Sequence, residues 1–384
     1  MIKVLHVISD TNIGGAGRYL INLIKSRSAD EFEVTVACPR GGRLWAELEP
    51  LGVPLEPIPH GEKSFSIANF RSLLAIIRSR TPDVVHTHAS LAGRLAARFA
   101  GVPVVLLTRH TIGAPVPGWK KPLIRLQSVW LSDLEIACSH AVADALLAQG
   151  TPADRIRTIY NGIDLAEAGA PVDSPSLRDQ CGFSAQTPVV GTVARLTWEK
   201  GLPYFLTAAA KIHAENQEVR FVIVGAGPLE TALKEAAVRL GIDQVVLFVG
   251  YQANVPAWID LIDVAVVSSI TEALSLALIE MMAQAKPIAA SAVGGIPEVV
   301  TDGIDGLLVP PADSDRLAAA VLRLLNDRLL AKRLGRTAAE TVAQRFSATV
   351  MAANVEQCYR ELLAPRLGDR MHQPDRMNAE EESN

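Results

Sequence analysis

In the first half of the chain, short runs rich in β-branched residues alternate with stretches whose apolar positions recur at helical spacing. IKVLHVIS (2–9), EVTVACP (33–39), DVVHTHA (83–89), PVVLLTRH (103–110), LEIACS (134–139) and RIRTIYNG (155–162) read as strands. Segments between them, such as YLINLIKS and SLAGRLAARFA, read as amphipathic helices. Near-continuous apolar strands separated by helices predict a parallel sheet covered on both faces.

The pattern then restarts with TPVVGTVA (187–194), VRFVIVG (219–225), VVLFVG (245–250), DVAVVSS (263–269), PIAASA (287–292) and GLLVP (306–310). The expected architecture is therefore α/β, with two doubly wound, Rossmann-like parallel-sheet domains facing each other across a cleft. The first is expected at 1–165 and the second at 187–345, joined by a linker at 166–186 rich in Pro, Ala, Asp and Ser. Residues 346–365 read as a closing helix that packs back on the N-terminal domain. Residues 366–384 lack apolar periodicity and are expected to be disordered. In open parallel sheets ligands bind beyond the carboxyl ends of the strands. The loops that follow strands, at the mouth of the cleft, are where chemistry is to be sought.

Composition narrows the class. A chain of 384 residues can bury two separate cores. Cys38, Cys138, Cys181 and Cys358 lie far apart and match no zinc spacing, as expected of buried thiols in a reduced, cytoplasmic protein. No leader pattern and no apolar run of about 18 residues is present, so no spanning helix is expected. The formal charge of −4 is unevenly spread. Residues 1–132 hold 16 Lys and Arg against 9 Asp and Glu, an excess that suits either an anionic partner such as a lipid phosphate or a membrane surface, or a solvated charge distribution with no role. Nothing points to a nucleic acid.

Chemistry enters with TEALSLALIEMMA (271–283), an apolar run that carries Glu272 and Glu280. A buried, unpartnered carboxylate is costly, so these two either face solvent or line a site whose ligand supplies partners. A helix starting near Ser275 would turn the backbone N–H groups of Leu274, Ser275, Leu276 and Ala277 toward a ligand, and such a helix start attracts anions. Glu280, in the second turn, could accept hydrogen bonds from two adjacent hydroxyls of a ribose; Glu272 could reach a different polyol. ARLTWEKG places Arg195 and Lys200 at a strand-to-helix turn, where they could clamp a phosphate or simply be a surface pair. Gly14 and Gly15 in GGAG, after the first strand, permit close approach of a ligand. As dinucleotide fingerprints, GAGRYL and GAGPLE fail at Leu20 and Glu230, which disfavours an NAD(P) enzyme.

Other signals have bland readings. DSD (313–315) precedes a helix, so Asp313 reads as an N-cap rather than a metal ligand. His86 and His88 share one strand face, which superficially suits a metal, but nothing nearby supplies clear further ligands, and satisfied core or cleft-edge histidines are the reading. In GWKKPLIRLQSVWLS (118–132), Trp119, Leu123, Leu126 and Trp130 fall on one helical face opposite Lys120, Lys121 and Arg125. Such a helix either is half-buried or rests on an anionic membrane.

Taken together, E-x7-E followed by KPIAASAVGGIPEVVTDGIDGLLVP, with ARLTWEKG, GG near the first strand and YNGID (160–164), resembles the retaining glycosyltransferases of family 4, which have the GT-B fold. The resemblance covers roughly residues 2–345. It implies a metal-independent hexosyltransferase that moves a sugar from a nucleoside diphosphate sugar to a hydroxyl acceptor, with UDP favoured over GDP and no cofactor. Cell-envelope polysaccharide, lipopolysaccharide or glycolipid synthesis, at the inner face of the cytoplasmic membrane, is the implied setting, with a carbohydrate or lipid-linked acceptor. By resemblance, Glu280 would bind the donor ribose, Arg195 and Lys200 the diphosphate, and Glu272 and the amides of Ala273 to Leu276 the sugar and phosphate. Gly14 and Gly15 would touch the same groups, His110 would stand beside the transferred sugar, and the backbone of Gly250, Tyr251 and Gln252 would read the base. Ala273 and Ala285 stand where the family often has Gly, so the loop and the turn before Pro287 are expected to be shaped differently. No carboxylate stands out as a nucleophile. Front-side attack is therefore the expected route, with the leaving phosphate taking the acceptor proton and His110 hydrogen-bonding the sugar. A GT-B epimerase, a phosphorylase or a non-catalytic nucleotide-sugar-binding subunit are the alternatives.

Overall fold

A computed structural model of the chain describes residues 1–11, 13–59, 65–169 and 174–371. It divides into two compact units. The first comprises Met1–Cys138, Ala143–Ile159 and the terminal helix from Met351; the second comprises Ser139–Val142 and Tyr160–Val350.

The sheet of the first unit has seven strands: β1 (Ile2–Ile8), β2 (Phe32–Pro39), β3 (Leu55–Ile58), β4 (Val84–His88), β5 (Val104–Arg109), β6 (Leu134–Ala137) and β7 (Ile156–Thr158). They are parallel, in the order β3-β2-β1-β4-β5-β6-β7. Six of the seven follow the expected runs. β3, with the sequence LEPI, is a short edge strand, and its Pro57 is of the kind that only an edge tolerates, so no apolar run marks it. Alternation along the strands sends Val4, Ile8, Val84, Leu106 and Ile136 into one core with Tyr19, Leu20 and Ile24 from the helix Gly15–Lys25. Met351, Val355, Cys358, Tyr359 and Leu363 of the terminal helix fill the same core. The other face buries Leu5, Val7, Val85 and Val105 against Leu73, Ile77, Ala92 and Ala96. Each large side chain taken fully out of water contributes about 1.5–3 kcal/mol.

The second sheet repeats the plan with β8 (Val189–Val193), β9 (Arg220–Val224), β10 (Val246–Gly250), β11 (Val264–Val267), β12 (Ile288–Ser291) and β13 (Leu307–Val309). Its order is β10-β9-β8-β11-β12-β13, again parallel throughout. In both sheets the chain winds outward one way and then the other, so the strand order reverses at β1/β4 and at β8/β11. Crevices beyond the carboxyl ends of strands at such switch points are where doubly wound folds bind ligands.

Three expectations are modified. The stretch 166–186 is not simply a linker. Residues 170–173 of it lie outside the described residues, but short helices flank them, Leu165–Ala168 and Ser174–Gln180. The first of these begins where the Asp164 carboxylate accepts the Ala166 and Glu167 N–H groups. The terminal helix, Ala348–Met371, continues through 366–371, which composition marked as disordered; the tail beyond, 372–384, lies outside the described residues. The turn before Pro287 is closed by Ala285 itself in the left-handed region, with φ 55°. No helix among the described residues is long and apolar enough to cross a membrane.

Candidate functional site

In the second unit, the residues singled out in sequence converge on the β8/β11 switch point. Arg195 and Lys200 follow β8, and Ser268, Ser269 and Glu272 follow β11. Hydrogen bonds tie the two loops together. The Ser268 hydroxyl donates to the Lys200 carbonyl at 3.0 Å, and the Ile270 N–H donates to the Glu199 carbonyl at 2.9 Å. Gly201 makes this closeness possible: at φ 59°, a Cβ there would collide with the Ser268 carbonyl oxygen.

The side chains then meet. Lys200 Nζ lies 2.5 Å from Glu272 Oε2, and the Ser269 hydroxyl donates to the same oxygen at 3.2 Å. The Glu272 carbonyl accepts the Gly295 N–H at 3.1 Å, and Gly294, at φ 54°, leaves room that a Cβ would take away. Glu272 is therefore fixed through both its backbone and its carboxylate. The two cations differ in kind. The Lys200 and Glu272 side chains are 16% and 10% exposed, so this is a largely desolvated pair. The Arg195 side chain is 70% exposed, so it stays hydrated, and it meets Glu199 at 3.2 Å.

Ser275 is the N-cap of the helix Leu276–Ala283, its hydroxyl accepting the Leu278 N–H at 3.3 Å. Helix geometry leaves the first-turn amides of Leu276 and Ala277 without an acceptor inside the helix. Glu280 sits one turn further along and is half-buried. Asp313 caps the helix Ser314–Asn326 by accepting the Arg316 N–H at 2.9 Å, as its sequence context predicts. At the end of β10, Gly250 has φ 69°, Tyr251 is exposed, and Gln252 Nε2 donates to the Val249 carbonyl at 2.6 Å. Two cations, an amide-bearing helix start and a fixed carboxylate around one switch point can hold an anion next to a polyol.

In the first unit, Gly14 is the N-cap of the helix that follows β1. Among the described residues, a Cβ at Gly14 would touch only Asp10, at 3.9 Å, and one at Gly15 would meet nothing within 4 Å. Neither glycine has a positive φ. Packing among the described residues does not require them.

His110 follows β5 and is not alone. His6 on β1 and His86 and His88 on β4 share the sheet face that carries Val4 and Val84, and all three are buried. The His86 ring has Tyr359 Oη 2.6 Å from Nδ1 and Thr108 Oγ1 2.6 Å from Nε2. His6 Nδ1 lies 3.2 Å from His88 Nε2, and His88 Nδ1 lies 3.2 Å from His110 Nε2. Burial holds all four rings far below the usual histidine range, His6 at about 3 and His110 at about 4, so they are neutral at physiological pH. His86 and His88 are satisfied core histidines, as read. The expectation that nothing further stands beside them is corrected: the β1–β4 register brings in His6, and the ligating nitrogens of His6, His86 and His88 lie within 4.8 Å of one another. A lone histidine in IKVLHVIS gives no sequence signal of this.

The helix Lys121–Leu131 buries only Ser128 among its residues. Trp119 and Trp130 are 76% and 71% exposed, and Leu123 and Leu126 are exposed with them. The half-buried reading of this helix is therefore corrected: its apolar side is bare. Lys120 Nζ lies 5.0 Å from the Trp119 ring centroid, and Lys121 and Arg125 are exposed beside it.

Comparison with known proteins gives concordant results. Residues 187–327 match the family described as glycosyl transferases group 1, and residues 13–167 match glycosyltransferase family 4. The chain is 30% identical over 315 residues to the glycogen synthase of Mycobacterium tuberculosis, covering 77% of this chain and 72% of that one. It is 27% identical over 349 residues to an Escherichia coli UDP-Gal:alpha-D-GlcNAc-diphosphoundecaprenol alpha-1,3-galactosyltransferase, covering 86% and 89%. Among solved structures, Anabaena HepE in complex with UDP and glucose superposes with a TM-score of 0.81 at 25% identity, over 93% of this chain and 99% of that one.

Proposed function

Since this chain belongs to the group 1, family 4 glycosyltransferases and has their GT-B architecture, we propose that it transfers a hexose from a nucleoside diphosphate sugar, UDP in preference to GDP, to a hydroxyl of a cell-envelope acceptor, with retention of configuration. The E. coli relative is named for a UDP-Gal donor and a diphosphoundecaprenol acceptor, and HepE was solved with UDP and glucose. Both support a UDP-sugar donor and a lipid-linked or polysaccharide acceptor.

The observation that carries the reading is the convergence of Arg195 and the Lys200–Glu272 pair on the loops after β8 and β11. Breaking a sugar–phosphate bond places negative charge on the departing diphosphate and oxocarbenium character on the sugar. Lys200 and the first-turn amides of Leu276 and Ala277 supply fixed positive charge for the first, and the solvated Arg195 closes on it as a further cation, in the role a divalent ion plays in other transferases. Arrival of the diphosphate draws the Lys200 ammonium from Glu272, and the released carboxylate takes up hydroxyls of the sugar. Glu280 holds the ribose, Gly14 and Gly15 admit the phosphate or sugar, and Gly250 to Gln252 frame the base. The acceptor hydroxyl attacks from the side the phosphate leaves, and a phosphate oxygen takes its proton. His110, neutral and hydrogen-bonded, contacts the sugar without acting as a base.

We place the exposed Trp119–Trp130 side, with Lys120, Lys121 and Arg125, on an anionic membrane surface where a lipid-linked acceptor resides. The enzyme is then a peripheral protein of the cytoplasmic membrane's inner face.

Thermal-shift screening with UDP-, GDP- and ADP-sugars tests the donor. Free ligand at 100 times its dissociation constant adds about 2.7 kcal/mol, so the true donor raises the melting temperature measurably. Transfer of its sugar to undecaprenyl-diphosphate sugars in chelator-treated buffer is the expected activity. Stabilisation by no nucleotide sugar, or unchanged turnover when Arg195 and Lys200 are both replaced by Ala, refutes the proposal.

A further inference from the structure

We propose that His6 and His88 are positioning residues: a line of hydrogen-bonded imidazoles ties the tautomer of His110 to theirs, and so governs whether Nδ1 offers an N–H or a lone pair to a sugar hydroxyl. The proposal rests on the reading of His110 as the residue beside the transferred sugar.

A neutral imidazole has one N–H and one lone pair. His88 uses both nitrogens, Nε2 toward His6 Nδ1 and Nδ1 toward His110 Nε2. It can therefore donate in one direction only. If it donates to His110, it must accept from His6, and all three rings carry the proton on Nδ1. If it donates to His6, it must accept from His110, and all three carry the proton on Nε2. No mixed assignment makes both hydrogen bonds, so the tautomers of His6, His88 and His110 are locked together.

The ring geometry suits this. The His6 and His88 planes are 17° apart with centroids 5.5 Å apart, and those of His88 and His110 are 25° and 5.4 Å. Near-parallel rings at that separation, with nitrogens 3.2 Å apart, meet edge to edge, N–H in line with lone pair. His86 lies against His88 at 4.8 Å between centroids, but its nitrogens are already committed to Tyr359 and Thr108, so it competes for neither bond. The line ends at His110 Nδ1, which has no accessible surface and no hydrogen-bond partner among the described residues; the Tyr19 ring centroid lies 4.9 Å from that of His110. Buried polar atoms are nearly always paired, so an unpaired one at the end of a directional line is a group that donor binding must uncover before a sugar hydroxyl can reach it. The neutrality that the line requires follows from burial.

The test is histidine-ring 15N NMR on the full chain, free and with UDP-glucose, each ring assigned by substitution. Protonated and unprotonated nitrogens of a neutral ring resonate far apart, so the tautomer is read directly. The expected result is one shared tautomer for His6, His88 and His110. His6→Leu should leave His110 as a mixture of both tautomers and lower kcat for transfer roughly tenfold, with unchanged UDP affinity. His6→Asn, which keeps a polar atom where Nδ1 stands, should restore both. Unlike tautomers among the three native rings, a charged His110, a His110 spectrum unmoved by His6→Leu, or one equivalent of zinc in the purified protein with metal-shifted His6, His86 and His88 overturns the proposal. If His6→Leu does not fold, the native spectra alone decide. If no variant, native included, transfers sugar, the spectra still judge the line, and the failure belongs to the proposed function.

Discussion

Lys200 and Glu272, 72 residues apart in sequence, are joined side chain to side chain across the loops after β8 and β11. Both are largely removed from water, so neither tolerates losing its partner. Lys200→Ala should cost about 3–5 kcal/mol of unfolding free energy, because it strands a buried carboxylate. The double substitution Lys200→Met with Glu272→Leu should recover most of that loss and none of the turnover. Urea unfolding and a sugar-transfer assay on the three proteins separate the structural from the chemical share; a double variant that transfers sugar normally rejects the assigned roles.

Arg195 makes the opposite case. Its guanidinium is solvated, and its contact with Glu199 is worth less than about 1 kcal/mol. Arg195→Ala should leave the melting temperature almost unchanged while lowering kcat by about 10²–10³, the usual loss when one stabilising group is removed from a developing anion. A large stability change with little kinetic effect would reverse the assignment.

The four buried histidines predict an acid-sensitive first unit. Their folded-state pKa values lie below the unfolded value of about 6.5, with His6 at about 3 and His110 at about 4. Between these limits the unfolded chain binds more protons than the folded one, so stability falls as the pH drops below about 6.5. Each ring contributes on the order of 1.4 kcal/mol per pH unit in that window. Denaturation midpoints at pH 7, 6 and 5 should fall steeply, and His6→Asn should flatten the slope. A pH-independent midpoint from 7 to 5 contradicts the neutral, buried assignment.

Sequence reading reached the architecture because parallel strands buried on both faces announce themselves as apolar runs. It missed β3 because an edge strand of four residues with Pro57 makes no such run. It named Arg195, Lys200, Glu272 and Glu280 individually, since each sits in a recognisable local pattern. It did not foresee that Lys200 and Glu272 would be spent on each other, because that pairing depends on how closely two loops approach through Gly201. His6 was invisible for a related reason: only the β1–β4 register makes it a neighbour of His86 and His88.

Ala285 offers a test of stored strain. With φ 55° it occupies a conformation that costs a non-glycine residue about 1–3 kcal/mol. Glycine removes that cost but gains freedom in the unfolded chain worth about 0.4–1 kcal/mol. Ala285→Gly should therefore stabilise by roughly 1 kcal/mol without altering turnover; calorimetry showing a lower melting temperature contradicts this.

The bare apolar side near Trp119 predicts charge-dependent lipid binding. Vesicles rich in phosphatidylglycerol should sediment the protein, and neutral vesicles should not. Lys120→Glu with Lys121→Glu should weaken binding by more than tenfold, at about 1 kcal/mol per basic residue near the surface. Trp130→Ala should weaken binding even at low salt. Equal sedimentation with both vesicle types removes the membrane assignment.

The terminal helix sets an order on how the protein is made. Val355, Cys358 and Tyr359 fill the core beneath β1, β4 and β5, yet they leave the ribosome only after the whole second sheet has been made. Synthesis at about 5–20 residues per second holds the first sheet unfinished for ten seconds or more after its strands emerge. During that interval an apolar sheet face and His86, whose ring pairs with Tyr359, wait for the terminal helix to arrive. A nascent chain stalled near residue 345 should recruit chaperones far more strongly than the finished protein.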